Sequence, residues 1–146
     1  QGKITRGQIY SMLPFENNIV ALTLSGADVA ELFNFIGSVP QGAGAFAQVS
    51  NGVKYKITYD ADGKGSISGV FINGKLIDTS RKYIVAVNDF MAGGGDGYVM
   101  LKNAESIYNS SVLVKDAFIE YVKSLNKFIN PKPAGRITII GGKQPE

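Results

Sequence analysis

One segment of this chain has to be a helix, and the segments on either side of it have to be strands. Between Ser25 and Pro40, the residues Val29, Leu32, Phe33 and Ile36 recur at i, i+3, i+4 and i+7, which puts four large apolar side chains on one helical face. Ser25 stands where an N-cap belongs, with Asp28 three residues on, and Gly37 and Pro40 close the segment. Just before it, Asn18 to Leu24 alternates and is rich in Val, Ile, Leu and Thr, as a half-buried strand requires. After it, Gln41 to Ala45 is a loop of small residues. From Phe46 to Val87 the pattern has a period of two, and reads as a β-meander. Val53 to Tyr59 alternates, Asp60 to Gly65 is a turn, Ser66 to Ile72 is a strand, and Asn73-Gly74 is a tight hairpin turn leading into Lys75 to Ile77. Tyr83 to Val87 is apolar throughout and is expected to be a buried strand.

The ends follow the same logic. Ile4 to Ile9 carries a helix start, with Thr5 as N-cap, Gln8 completing a capping box, and Ile4 and Ile9 spaced as a hydrophobic staple. Pro14 stops this helix early, and Phe15 falls in the break that follows. Ser110 or Ser111 is the expected cap of a last long helix whose inner stripe is Val114, Phe118, Tyr121, Val122 and Leu125, with Lys123 and Lys127 at its C-terminal end. Asn130 to Pro133 is a stiff linker, Arg136 to Ile140 a closing strand, and residues 141–146 a loose tail. Strands grouped apart from helices, with no repeats, give an α+β fold: a mixed, mostly antiparallel sheet with about three helices. A chain of 146 residues fits one domain, here residues 1–140.

Composition narrows the function. Hydrophobic residues are 45% and charged residues 18%, a globular composition. The net charge of +3 comes from scattered lysines, which argues against a nucleic-acid surface. No apolar run approaches the roughly 20 residues of a membrane span, and no signal peptide is visible. There is no Cys and no His, which removes disulfides, Cys/His zinc sites and the commonest general base. Catalysis by this chain alone is not expected, since the glycine-rich segment carries no paired carboxylates.

That segment, Asn88 to Tyr98, is where a ligand is expected. It follows the apolar run directly and holds four glycines and a lone acid, Asp96, between Phe90 and Tyr98. Gly94 and Gly95 let a ligand approach the backbone. Asp96 is either a turn aspartate bonded to its own backbone or an acceptor for sugar hydroxyls. Phe90, Tyr98 and the distant Phe15 are either core anchors or platforms for a planar ring. Three familiar motifs do not fit. Asp60, Asp62 and Gly63 lack the bidentate Glu of an EF-hand. Gly93 to Gly95 is followed by no Gly-Lys-Ser/Thr and lies in no βαβ unit, so it is neither a P-loop nor a dinucleotide fingerprint.

Taken in order, Gly2 to Thr5, Leu13 to Asn17, Leu24 to Gly26, Asn88 to Tyr98 and Gly135 to Ile137 resemble the C-terminal domain of the 5′-nucleotidase/UDP-sugar hydrolase family across nearly the whole chain. The resemblance implies a nucleotide- or nucleoside-binding specificity domain. Its partner is an N-terminal metallophosphoesterase domain of the same protein, which holds two divalent metal ions and performs hydrolysis. It also implies a base clamped between Phe15 and Phe90, ribose hydroxyls bonded to Asp96, with Gly94 and Gly95 beside them, and a periplasmic, secreted or cell-surface location. The family's Asn-Gly-Gly-x-Arg segment is expected ahead of Gln1, which makes the chain an N-terminally trimmed part of a larger protein. Two alternatives stay open: the same domain of a 2′,3′-cyclic-nucleotide phosphodiesterase, or a non-catalytic surface binding module.

Overall fold

A computed structural model describes residues 2–126 and 128–142. The chain runs α1 (Arg6–Met12), β1 (Asn18–Ser25), α2 (Gly26–Ser38), β2 (Val53–Tyr59), β3 (Gly65–Ile72), β4 (Lys75–Leu76), β5 (Lys82–Asn88), α3 (Asp89–Ala92), β6 (Ser106–Leu113), α4 (Val114–Leu125) and β7 (Ile137–Ile140), with 3₁₀ turns at Gly95–Gly97 and Val99–Asn103. The strands form two sheets, ordered β5-β1-β6 and β4-β3-β2-β7. All pairings are antiparallel except β2 with β7. The fold is therefore α+β, as the strand and helix patterns require.

The central helix, α2, packs against both sheets. Val29, Leu32, Phe33 and Ile36 are all buried, and the Ser25 hydroxyl oxygen caps the helix by accepting from the Asp28 amide at 3.1 Å. On one side lie Val20, Leu22 and Leu24 of β1; on the other lie Tyr55, Ile57 and Tyr59 of β2 with Val70 of β3, in one continuous core. The helix backbone touches the second sheet directly. A Cβ added to Gly65 would stand 2.1 Å from the carbonyl oxygen of Gly37. Burial pushes the Tyr55 phenol up to about 12, so it stays neutral in the core. The Tyr59 hydroxyl donates to the Val39 carbonyl at 3.2 Å.

Four expectations need correction. First, four α-helices are found among the described residues, because the stretch read as a glycine loop opens with the short helix α3. Second, the meander ends at the Asn73-Gly74 hairpin. β5 crosses into the other sheet and pairs with β1, through a loop that passes so close to Gly26 that a Cβ there would meet the Asp78 carbonyl. Being an edge strand, β5 is only half-buried. Third, Ser110 and Ser111 cap nothing; they belong to β6, where Ser110 donates to the Ile19 carbonyl at 2.7 Å and Ser111 takes a positive φ. Long-range strand pairing overrode a local capping signal there. The start of α4 is instead satisfied by its own neighbour, with the Val114 amide donating to the Asn17 carbonyl at 2.9 Å. Fourth, the buried residue of α4 is Ile119, while Tyr121 is exposed.

Two local signals are met as read, while Gly37 lies inside α2 rather than closing it. The Thr5–Gln8 capping box is closed, and the Asp60 carboxylate accepts from the amides of Asp62 and Lys64, which is a turn. Lys127 and residues 143–146 of the expected tail lie outside the described residues. Among those described, no helix is long and apolar enough to cross a membrane.

Candidate functional site

The segment Asn88 to Tyr98 is built in three steps. The Asn88 side chain caps α3, its Oδ1 accepting from the Met91 amide at 2.7 Å. Gly94 then turns the chain at φ +85°, and the 3₁₀ turn follows with Asp96 at φ +54° and Gly97 at φ +88°. Finally Tyr98 plunges into the core, with its ring edge-on to Phe35 at 4.8 Å and its hydroxyl donating to the Ala45 carbonyl at 2.6 Å. Burial pushes the Tyr98 phenol up, which keeps it neutral as that donor.

The two flanking aromatics therefore do different things. Tyr98 is an anchor, only 2% exposed, whereas Phe90 is 51% exposed. The Phe90 ring folds back onto Gly95: a Cβ there would lie 2.4–2.6 Å from three of its ring carbons. Glycine at 95 thus gives the ring a flat seat and leaves it partly open to solvent. Gly94 is covered by the stem of Lys102, whose Cε would be 2.7 Å from an added Cβ. That places a cation beside the loop, a residue that nothing in the sequence singles out.

Asp96 projects from the turn exposed. The side-chain hydrogen bonds of the loop are made by Asn88, Asp89 and Tyr98, and among the described residues none is made by the Asp96 carboxylate. A non-glycine residue at positive φ carries local strain, of order 1 kcal/mol or more, which structures retain most often at functional sites.

Phe15 is 74% exposed, so it is no core anchor either. What joins its segment to the loop is Asp89. The Asp89 Oδ2 accepts from the Asn18 backbone amide at 3.1 Å and from the Asn18 side-chain Nδ2 at 3.2 Å. Phe15 is three residues from Asn18, a reach of at most about 11 Å, and Phe90 is adjacent to Asp89. Both exposed rings are thereby held at the same end of the β1–β5 pair, where Ile19 faces Asn88. Ring–ring contacts among the described residues involve neither of them. A cavity of about 400 Å³ lies elsewhere; it runs beside α2 and β5 and touches this loop only through Met91 and Tyr98.

The Asn18 amide beside Asp89 holds that carboxyl below the usual carboxylate range, and this outweighs the opposing effect of desolvation. A folded-state pKa below the unfolded one means stability that is present above the unfolded value, near 3.8, and lost as pH falls through the folded value. Asp89→Ala is expected to lower Tm at pH 7. The gap from wild type should narrow toward pH 3, where the native carboxylate is itself being protonated. Thermal melts across that range check this; a gap independent of pH would show that the carboxylate charge is not what holds Asn18.

Comparisons with known proteins place the chain among relatives of one kind. The sequence profile described as "5'-nucleotidase, C-terminal domain" matches residues 1–103. A trifunctional nucleotide phosphoesterase protein of Bacillus subtilis is 33% identical over 143 residues, which cover 94% of this chain and 10% of that protein. A cell wall protein of Listeria monocytogenes is 32% identical over 142 residues, covering 93% of this chain and 18% of its own length. Among solved structures, a 5′-nucleotidase precursor from Thermus thermophilus superposes with a TM-score of 0.84 at 30% identity, covering 98% of this chain and 29% of that one. The chain thus spans between a tenth and a third of the length of these relatives.

Proposed function

The chain belongs to the 5′-nucleotidase C-terminal domain family, and from that premise we propose that residues 1–140 are the nucleotide-specificity domain of a larger metal-dependent phosphoesterase. In this reading Phe15 and Phe90 take the two faces of the base. Stacking contributes about 1–3 kcal/mol per base and tolerates its identity, so broad nucleotide specificity follows. Asp96 accepts from the ribose hydroxyls, and Gly94 and Gly95 let the sugar lie against the backbone. The observation that carries the proposal is the coincidence at one end of a sheet of two large exposed aromatics and a carboxylate with no protein hydrogen bond.

Hydrolysis is assigned to the other domain. Among the described residues no group of three or more His, Cys, Asp or Glu could hold a metal ion, and the chain contains no His or Cys. The two divalent ions of the proposed reaction would be held by residues of the N-terminal metallophosphoesterase domain, where they would supply a polarised water. A periplasmic, secreted or cell-surface setting fits relatives named as a cell wall protein and a precursor. A second reading, action on more than one kind of nucleotide phosphoester, is favoured by the relative named a trifunctional nucleotide phosphoesterase.

The test is an NMR titration of the domain with AMP and with adenosine. Shifts should centre on Phe15, Phe90 and Asp96. Asp96→Asn should weaken binding about tenfold, near 1.4 kcal/mol, with the thermal transition unchanged. Shifts that leave those residues untouched sink the proposal, and loss of the transition in Asp96→Asn makes Asp96 structural.

A further inference from the structure

Lys115 is badly placed for its helix and well placed for the candidate site. It lies in the first turn of α4, where the helix macrodipole disfavours a cation. It is also the least exposed cation among the ion pairs of the described residues: its side chain is 14% exposed, against 64% for Lys82 and 55% for Lys123. Lysines are mostly exposed, so neither local preference nor solvation accounts for this one. Its tertiary contacts do.

The ammonium meets the chain on both sides of Phe15. Its Nζ donates to the Glu16 carboxylate at 3.4 Å, one residue after Phe15. It also lies 5.2 Å from the centre of the Tyr10 ring, five residues before Phe15 and within cation–π range. The residues between α1 and β1, Leu13 to Asn17, belong to no helix or strand. The Leu13 amide donates to the Ile9 carbonyl at 2.8 Å, and the Asn17 carbonyl accepts from Val114 at 2.9 Å. Among the described residues no hydrogen bond reaches Pro14 or Phe15 themselves. The turn that presents Phe15 is thus bonded at its two ends, and one ammonium on α4 spans it. The Glu16 carboxylate is largely exposed, so the ion pair adds little to folding stability. What it fixes is the course of the chain through Phe15.

We propose that Lys115 is a positioning residue for the base platform at Phe15. By holding Tyr10 and Glu16 together it sets the turn that carries the ring, and with it the gap between Phe15 and Phe90 that a base enters. Asp89 of α3 holds the end of the same segment through Asn18. The segment that presents Phe15 is therefore gripped by two charged side chains from different helices. The proposal rests on the reading of Phe15 as one face of the clamp.

A double-mutant cycle in the full-length enzyme tests this, with a nucleoside monophosphate as substrate. Phe15→Ala and Lys115→Met should each raise KM, the second by about five- to tenfold, part of one lost base–aromatic stack, with kcat within about twofold. Tm of Lys115→Met should stay within about 3 °C of wild type. Lys115→Arg, which keeps the charge and stacks on Tyr10, should return KM to within about twofold of wild type. In the Phe15→Ala background Lys115→Met should change KM no further, as for residues that act as a unit. An equal rise in that background, or no rise in the wild type, overturns the proposal and leaves the clamp intact. An unaltered KM in Phe15→Ala removes the clamp, and the proposal with it. Backbone NMR relaxation of the 146-residue chain reads the positioning without a nucleotide. Order parameters of Phe15 and Glu16 should fall from about 0.85 to below about 0.6 in Lys115→Met. Glu16→Ala, at an exposed position, gives the same readout should Lys115→Met fail to fold. Unchanged order parameters overturn the proposal.

Discussion

Phe90→Ala is expected to raise KM of the full-length enzyme for a nucleoside monophosphate by about 10- to 100-fold, leaving kcat within about twofold. The magnitude is that of one lost base–aromatic stack, 1–3 kcal/mol. The direction follows from position: the base is remote from the reacting phosphate, so its binding energy is shared by ground state and transition state and appears in KM. Phe90 is half exposed and seated on Gly95, so its removal should cost little stability. Gly95→Ala should move KM in the same direction, because the new methyl occupies the place of the ring and displaces it. Steady-state kinetics with thermal melts check both variants. A collapse of kcat at unchanged KM would mean that Phe90 is not a ground-state platform, and an unaltered KM in both would remove it from the site.

Gly65→Ala should destabilise the domain by about 3 kcal/mol, or roughly 10 °C in Tm. The added Cβ would lie 2.1 Å from the Gly37 carbonyl oxygen of α2 and 2.8 Å from the Tyr59 ring. Neither neighbour yields easily, one being helix backbone and the other a buried ring, so the second sheet must lift off the central helix and thin the core at Ile57 and Tyr59. Gly44→Ala is the control: its Cβ meets nothing within 4 Å, and it should melt like wild type. Equal melting temperatures for the two variants would show that α2 and β3 do not depend on this close approach.

The parts of the fold legible in the sequence are those whose signals are local. The stripe on α2, its Ser25 cap, the Thr5–Gln8 box, the β2 alternation and the Asn73-Gly74 turn each express the preferences of a few neighbouring residues. Each appears in the structure where those preferences put it. The misread parts are those where distant pairing outweighed local preference. Ser110 and Ser111 have the chemistry of a cap, but pairing of β6 with β1 takes up their segment. Tyr83 to Val87 has the composition of a buried strand and stands at an edge. No local rule decides which sheet a strand joins.

The same division runs through the candidate site. The family resemblance singled out Phe15, Phe90, Asp96, Gly94 and Gly95; residue types and glycine spacing offered only that aromatics and a carboxylate beside glycines suit a ring and a sugar. They could not separate Phe90 from Tyr98, two aromatics at the ends of one loop. Tertiary packing did: the Tyr98 hydroxyl finds the Ala45 carbonyl in the core, and the Phe90 ring lies over Gly95, half exposed. Nor could they join Phe15 to the loop, since the link is the Asp89 carboxylate reaching Asn18 across 71 residues of chain. Helix, strand and turn preferences act over three or four residues, so the sequence by itself determined the kinds of element and the chemistry available. Which faces were left exposed, and which distant residues share one end of a sheet, depends on burying a common core, and only the tertiary structure decided that.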